Sequence, residues 1–402
     1  MVTTVTSYTD ARNQALVGQG FDGVVRVSID NFYGTGVLLY GGAAVLTAAH
    51  LFNSSTSSAR VLFETASGTT TVSSRQVLVH TAYDASGGNN DLALVWLAAP
   101  APAAAQRYSL YRGADEVGQA FDLVGYGVPG LGATGTVTGY TGNPVRLKAT
   151  NIFDAGIETV KNALGSAVGW SPAAGTQLVA DFDNGQTAQD AFDRLINRPD
   201  LGTGQTEGLI SRGDSGGPAF VQGKLAGIAS YTSNLSFGSI RPDINNMLDS
   251  SFGEIAAWQR VSYYQQWIDQ SLRGQYTNAP KTPAEVQKTV PEGNSGTVTT
   301  YFLLQFNGTR SSPNHLISVD YSTRDGTAKA GTDYLAASGT LVLYPNESQA
   351  LIPIEILGDT VSEPDETFFL DVFNPQGASF GEGVVKLTAM RTILNDDAGI
   401  FA

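Results

Sequence analysis

The chain has no cysteine, which excludes disulfides, zinc–thiolate sites and cysteine nucleophiles. Its stability must therefore come from burial, for which 402 residues are ample. No run is apolar for the roughly 18–20 residues that a membrane helix needs. The longest, Val37 to Phe52, is broken by Gly41, Gly42, Thr47 and His50. Residues 1–15 lack both a basic start and an apolar stretch, so no ordinary signal peptide is expected. Charge is sparse at 15% of residues against 42% hydrophobic, and the 46 glycines and 16 prolines follow no three-residue period. That composition fits neither a disordered solvating chain nor collagen. Basic residues are the scarcer sign, 23 against 37 acids, for a net charge of −14. The balance argues against nucleic acid or an anionic membrane as main partner and suits a soluble protein that binds cations.

What is present is mostly strand signal. Val24–Ile29, Gly36–Tyr40 and Leu92–Leu97 are short β-rich runs bounded by Gly, Asn and Asp. Two stretches carry helical spacing: Ala188–Ile196, with Ala188, Ala191, Phe192 and Leu195 on one face, and Val261–Leu272, followed by a basic turn and Gly274. Residues 275–284 are polar with two prolines and read as a linker. Beyond them the composition shifts: residues 285–402 hold 15 acids and 6 bases, and strands recur without a helix. This predicts a small antiparallel sandwich.

Only three histidines exist. His50 closes VLTAAH just after an apolar strand, Asp91 opens the apolar run of NNDLALVWL, and Ser215 sits in the glycine-rich SRGDSGGPAF. A serine hydroxyl is a poor nucleophile unless an imidazole takes its proton, and the imidazole needs a carboxylate to fix its tautomer. Gly216 and Gly217 tolerate the backbone angles of a turn that points its N–H groups into one cavity. Gly213 leaves that cavity open, so its N–H and that of Ser215 form a candidate oxyanion hole. His80 and His315 read as structural.

In this order TAAH, NDLALV and GDSGGP resemble the trypsin/chymotrypsin-like serine proteases. Gly34-Thr-Gly36-Val-Leu-Leu, Leu123-Val-Gly-Tyr-Gly127, Gly227-Ile-Ala-Ser230-Tyr231 and the helix with Tyr264 and Trp267 fit as well. The resemblance implies two six-stranded β-barrels with a C-terminal helix over residues 16–274. It makes His50 the general base, Asp91 its orienting acid, Ser215 the nucleophile, and Ser230, Tyr231 and Thr232 the strand that pairs with substrate. Leu209, six before the serine, takes the pocket-floor position and carries no charge, which implies a small or apolar P1 residue. Leu16-Val-Gly-Gln-Gly resembles the family's mature N-terminus, so residues 1–15 are expected as a propeptide whose removal frees an amine to pair with Asp214. The stretch between Asp91 and Ser215 exceeds the family's usual gap, with the surplus in residues 154–205. Asp181-Phe-Asp183-Asn184-Gly185 within it is an acidic turn of a kind that can hold Ca2+, but it lacks the full EF-hand ligand spacing, and an ordinary Asn-Gly turn is the favoured reading.

Residues 285–402 contain VPEGNSGT, STRDGTAKAGTDY, GDTVSEPDETF and ILNDDAGIF. Together these resemble the Calx-β domain, an immunoglobulin-like Ca2+-binding sandwich. The match carries Glu292, Asp325, Asp359, Glu363, Asp396 and Asp397 over as Ca2+ ligands, with Glu366 a further candidate. Gly358 and Asn395 stand where the family often has acids. The expectation is an all-β, monomeric, secreted serine endopeptidase acting on protein or peptide substrates. Ca2+ in its C-terminal domain is structural, and catalysis needs no cofactor. The alternative is a silent adhesion or matrix protein that uses the protease-like domain only to bind. Asn53, Asn234, Asn307 and Asn346 match the glycosylation pattern, as short motifs often do by chance.

Overall fold

A computed structural model describes residues 2–52, 58–310, 312 and 314–397. Asn53 and the end of the ILNDDAGIF segment lie outside them. The chain divides into two compact units, Met1–Leu39 with Ala43–Gln265, and Tyr40–Gly42 with Gln266–Ala402. No helix among the described residues is long and apolar enough to cross a membrane.

In the first unit, six strands close into a barrel in the order Val24–Ile29, Phe32–Leu38, Ala44–Thr47, Ala93–Leu97, Gly68–Val79, Arg60–Thr65. Period-two alternation sends Val25, Val27 and Ile29 inward to meet Val45, Val61, Phe63 and Val95. The Ala93–Leu97 strand is buried along its whole length, which is why it is uniformly apolar. The rest of the unit is built on a seven-stranded sheet. Its order is Leu147–Ile152, Ala120–Gly125, Pro218–Val221, Lys224–Ser233, Ile255–Arg260, Gln177–Asp181, Ala155–Gly156. Together with the closed barrel this sheet is consistent with the expected trypsin-like fold, and its last strand, Ala155–Gly156, runs directly into the helix Ile157–Leu164. Phe121, Phe153 and Trp258 pack in its core, Phe121 and Phe153 stacked at 3.9 Å.

Residues 2–15, expected as a propeptide, are folded into this unit. Thr3–Thr4 forms a strand between Gly208–Leu209 and Gly130–Leu131, and Val2 is 1% exposed in the core. Ala15 N donates to Arg146 O, and Arg146 Nε donates to Ala15 O. Leu16, by contrast, lies on the surface.

The helix expected over 188–196 starts at Ala191, because the Asp190 carboxylate caps it by accepting the Asp193 N–H. The helix Val261–Gln275 follows its predicted register, with Val261, Tyr264, Ile268 and Leu272 buried.

The second unit has a five-stranded sheet, Thr289–Pro291, Lys386–Leu394, Glu366–Gln376, Ile317–Asp325 and Ser338–Leu343, and a two-stranded one, Thr297–Gln305 with Gln349–Leu357. All pairs are antiparallel except Thr289–Pro291 with Lys386–Leu394, which is parallel. Val319, Ile354, Phe368 and Leu370 form its core, with Tyr334 stacked on Phe368 at 4.5 Å.

Candidate functional site

His50 and Asp91 are positioned by adjacent strands of the closed barrel. Ala44–Thr47 pairs with Ala93–Leu97, and each residue lies just beyond an end of that ladder. His50 occupies the single 3-10 turn Ala49–Leu51. Asp91 follows Asn90, whose left-handed φ of 55° turns the chain into the buried strand. Asp91 is 2% exposed. Its Oδ1 accepts the His50 backbone N–H at 2.8 Å, and its Oδ2 lies 2.7 Å from His50 Nδ1. A carboxylate acceptor at Nδ1 assigns the ring proton there, leaving Nε2 with its lone pair.

Ser230 completes the group. The strand Lys224–Ser233 has a register shift between Ala229 and Tyr231. Such a bulge re-aims a side chain, and Ser230 Oγ donates to Asp91 Oδ2 at 2.5 Å. Gln259 Nε2 donates to Ser230 Oγ (3.3 Å) and to Gly88 O (2.7 Å). The buried acid is thus held by three donors, which offsets much of its desolvation.

The Ser215 turn is locked to the same framework through its backbone. Thr35 N donates to Ser215 O at 2.9 Å, Gly216 N to Ala229 O at 2.8 Å, and Ala229 N to Gly217 O at 2.8 Å. Ala229 immediately precedes Ser230, so one strand holds both the turn and the Asp91 carboxylate. Gly216 has φ 83°, and a Cβ there would lie 2.0 Å from Thr47 Oγ1 and 2.7 Å from Ala48 N. The turn therefore presses on the segment that leads into His50, and only glycine fits. Gly213 has φ 100°. Among the described residues neither its N–H nor that of Ser215 donates a hydrogen bond, and the Ser215 hydroxyl makes none to His50. Asp214 is enclosed, and its carboxylate accepts from Ser211 N and Gly127 N, both at 2.8 Å. Burial pushes that carboxyl above its ordinary value, and the Ser211 hydrogen bonds pull it back.

A cavity of about 400 Å3 opens beside His50 and Asp91. Tyr83, Trp170 and Tyr231 line it, with Ser86, Gly88 and Ser230. Trp170 meets Tyr231 edge-on at 5.4 Å and donates Nε1–H to its hydroxyl at 3.0 Å, while that hydroxyl donates to Gln177 Oε1 at 2.6 Å. Burial, then Asp91 and Asp84, push the Tyr83 phenol up to about 12, so it stays protonated. Tyr83 and Trp170 were missed in the sequence. The available signal was a tryptophan in a loop of Gly, Ser and Pro. Of the pocket residues expected, Ser230 and Tyr231 lie in the cavity wall. Thr232 pairs with Ala256 and is half-buried. Leu209 does not line the cavity: it pairs with Thr3 and is 0% exposed in the core.

In the second unit, carboxylate oxygens of Asp333, Glu363 and Glu366 come within 4.8 Å of one another. Burial, then Asp359, Glu363 and Asp397, push Glu292 up to about 7, which puts these acids in one electrostatic group. Asp396 Oδ1 accepts from Gly293 N (3.0 Å), and Asp397 Oδ1 from Asn294 Nδ2 (2.7 Å). Asp359 accepts the Val361 N–H. Asp325 Oδ1 accepts from the Tyr334 hydroxyl at 2.6 Å and from Ala330 N at 3.0 Å. Asp333 was not among the expected ligands.

Comparison with known proteins agrees with the two-part reading. The Trypsin family model matches residues 15–158, and the Calx-beta domain model matches residues 300–397, in the expected order. Sodium/calcium exchanger 2 of Rattus norvegicus and of Homo sapiens are each 43% identical over 103 residues, covering 22% of this chain and 11% of theirs. The Drosophila melanogaster sodium/calcium exchanger Calx is 45% identical over 89 residues, covering 21% and 9%. The chain thus spans about a tenth of the length of these curated relatives. It joins a trypsin-like, protease-like part to a Calx-beta domain.

Proposed function

We propose that the first unit is a serine endopeptidase. The observation that carries this reading is the enclosed Asp91 carboxylate, gripping both the backbone and Nδ1 of His50 while the Ser215 turn is anchored one residue from Ser230. Ser215 Oγ attacks the substrate carbonyl carbon as His50 Nε2 takes its proton. Asp91 keeps the proton at Nδ1 and stabilises the imidazolium. The uncommitted N–H groups of Gly213 and Ser215 receive the negative charge forming on the carbonyl oxygen. Each such donor is worth about 3–4 kcal/mol in the transition state. His50 then protonates the leaving amine, and water returns the acyl-enzyme to serine by the reverse transfers.

Apart from His50 and Asp91 the cavity is lined by no Asp, Glu, Lys, Arg or His, which supports substrates with apolar side chains there. In the second unit, Asp333, Glu363, Glu366 and Glu292 offer an all-oxygen, anionic set suited to Ca2+. A site of this kind is filled where Ca2+ is abundant, which supports an extracellular enzyme.

The absent hydrogen bond between the Ser215 hydroxyl and His50 favours a second reading, a binding protein that retains the framework without the chemistry. A fluorophosphonate probe separates the two. Labelling of the wild type but not of Ser215→Ala is expected. No labelling at any pH or calcium concentration overturns the enzyme.

A further inference from the structure

Three buried aspartates of the first unit come together outside the cavity that opens beside His50. Asp181 ends the strand Gln177–Asp181, Asp183 follows two residues later, and Asp190 caps the next helix. They are 2%, 3% and 2% exposed. One carboxylate oxygen from each lies within 4.8 Å of the others.

Ordinary bonding accounts for part of this. Asp181 Oδ2 accepts the Ala191 and Phe192 N–H groups at 2.5 and 3.0 Å, Asp190 Oδ1 accepts the Asp193 N–H at 2.7 Å, and Glu207 Oε1 accepts the Asp183 N–H at 2.8 Å. These bonds fix the side chains but leave Asp183 Oδ1 enclosed with no hydrogen-bond partner. No cation compensates it. The charged groups facing Asp183 are Asp181, Glu207, Asp190 and Asp200, all acids. Among the described residues no ion pair reaches any of them. The nearby guanidinium groups are turned to carbonyls: Arg194 to Ala188 O and Arg241 O, Arg198 to Asp154 O. A buried carboxylate left unpaired costs several kcal/mol, and native proteins pair it or ligate a metal with it.

We propose that Asp181, Asp183 and Asp190 hold a hard divalent cation of the Ca2+ type, a structural ion in the protease-like unit. Oxygens bound to Ca2+ at about 2.4 Å lie at most about 4.8 Å apart, as these do. A donor set without histidine or cysteine selects calcium-like ions over zinc. The ion would tie the strand end at Asp181 to the start of the helix at Asp190, closing the segment that lengthens this chain between Asp91 and Ser215. The Asn-Gly turn read from the sequence is then the loop around the ion.

Equilibrium dialysis of EGTA-stripped full-length protein against radioactive calcium tests this. Asp183→Asn and Asp190→Asn are each expected to bind one ion fewer per chain than the wild type. Asn is as good a helix cap as Asp, so Asp190→Asn keeps the fold even where Asp183→Asn does not. Glu366→Gln, in the other unit, is expected to keep this ion. Asp190→Asn is also expected to lose the part of the calcium-induced rise in melting temperature that Glu366→Gln retains. Wild-type stoichiometry and affinity in both aspartate variants overturn the proposal.

Discussion

Ser230 Oγ lies 2.5 Å from Asp91 Oδ2, the same oxygen that faces His50 Nδ1. The two residues come from different sheets, the acid from the closed barrel and the serine from the bulged strand Lys224–Ser233. Through Ala229 that strand also holds the Ser215 turn. The bulge is therefore what makes one strand serve two tasks, a ladder partner at Ala229 and a side-chain donor at the next residue.

Ser230→Ala should remove a charge-assisted donor from an enclosed carboxylate. Such a bond contributes about 1.5–3 kcal/mol, so kcat/KM on a peptide ester should fall roughly 10- to 100-fold. Labelling at Ser215 should slow without disappearing. An unchanged rate would mean that the backbone N–H and ring of His50 hold Asp91 unaided.

Removal of residues 1–15 should destabilise the first unit. It takes the strand Thr3–Thr4 out of its sheet and strips Val2 from the core beside Leu209. Burial of a valine alone contributes about 1.5–3 kcal/mol. A chain begun at Leu16 should therefore melt several degrees lower. Edman sequencing of active protein should find residues 2–15 still attached, and a Leu16 start with full activity would contradict this.

The parts of the site that were legible are those in which chemistry dictates residue type over a short span. His50, Asp91, Ser215 and the glycines around the serine stand in motifs a few residues long. Leu209 shows the limit. Counting back from Ser215 gives a position but not an orientation, and pairing with Thr3, more than two hundred residues away, turns its side chain into the core. Tyr83 and Trp170 come from separate loops and meet only in the fold. Asp333 was hidden within the same strand-and-turn motif as Asp325, and only the fold brings its carboxylate to Glu363 and Glu366. The helix Ile157–Leu164 offers only Ile157, Val160 and Leu164 as apolar markers, too few to stand out.

Glu254 should make the first unit less stable as pH rises. Burial, then Asp243 and Asp249, push its carboxyl from 4.5 to about 8, against hydrogen bonds from the Asp249 and Ser251 N–H groups. The folded state then keeps the proton that the unfolded chain releases near 4.5, so stability falls between about pH 4.5 and 8 and is level above. Glu254→Gln keeps both acceptor contacts and supplies a neutral amide at the enclosed Oε2. Thermal midpoints from pH 5 to 8 should drop less in the variant than in the wild type. Parallel curves would show that another group governs this range.

Glu366 should govern calcium stabilisation of the second unit. Its carboxylate meets those of Asp333 and Glu363, and burial, then Asp333, push it up to about 7. A bound cation neutralises that repulsion and is lost on unfolding, so at a hundredfold its dissociation constant it stabilises by about 2.7 kcal/mol. EGTA should lower the melting temperature of the wild type, and calcium should restore it. Glu366→Gln loses one ligand charge but also one repulsive partner. It should therefore melt higher than the wild type in EGTA yet gain less from calcium. That crossing separates a ligand from a solvated surface acid, because an acid outside the site would move neither curve.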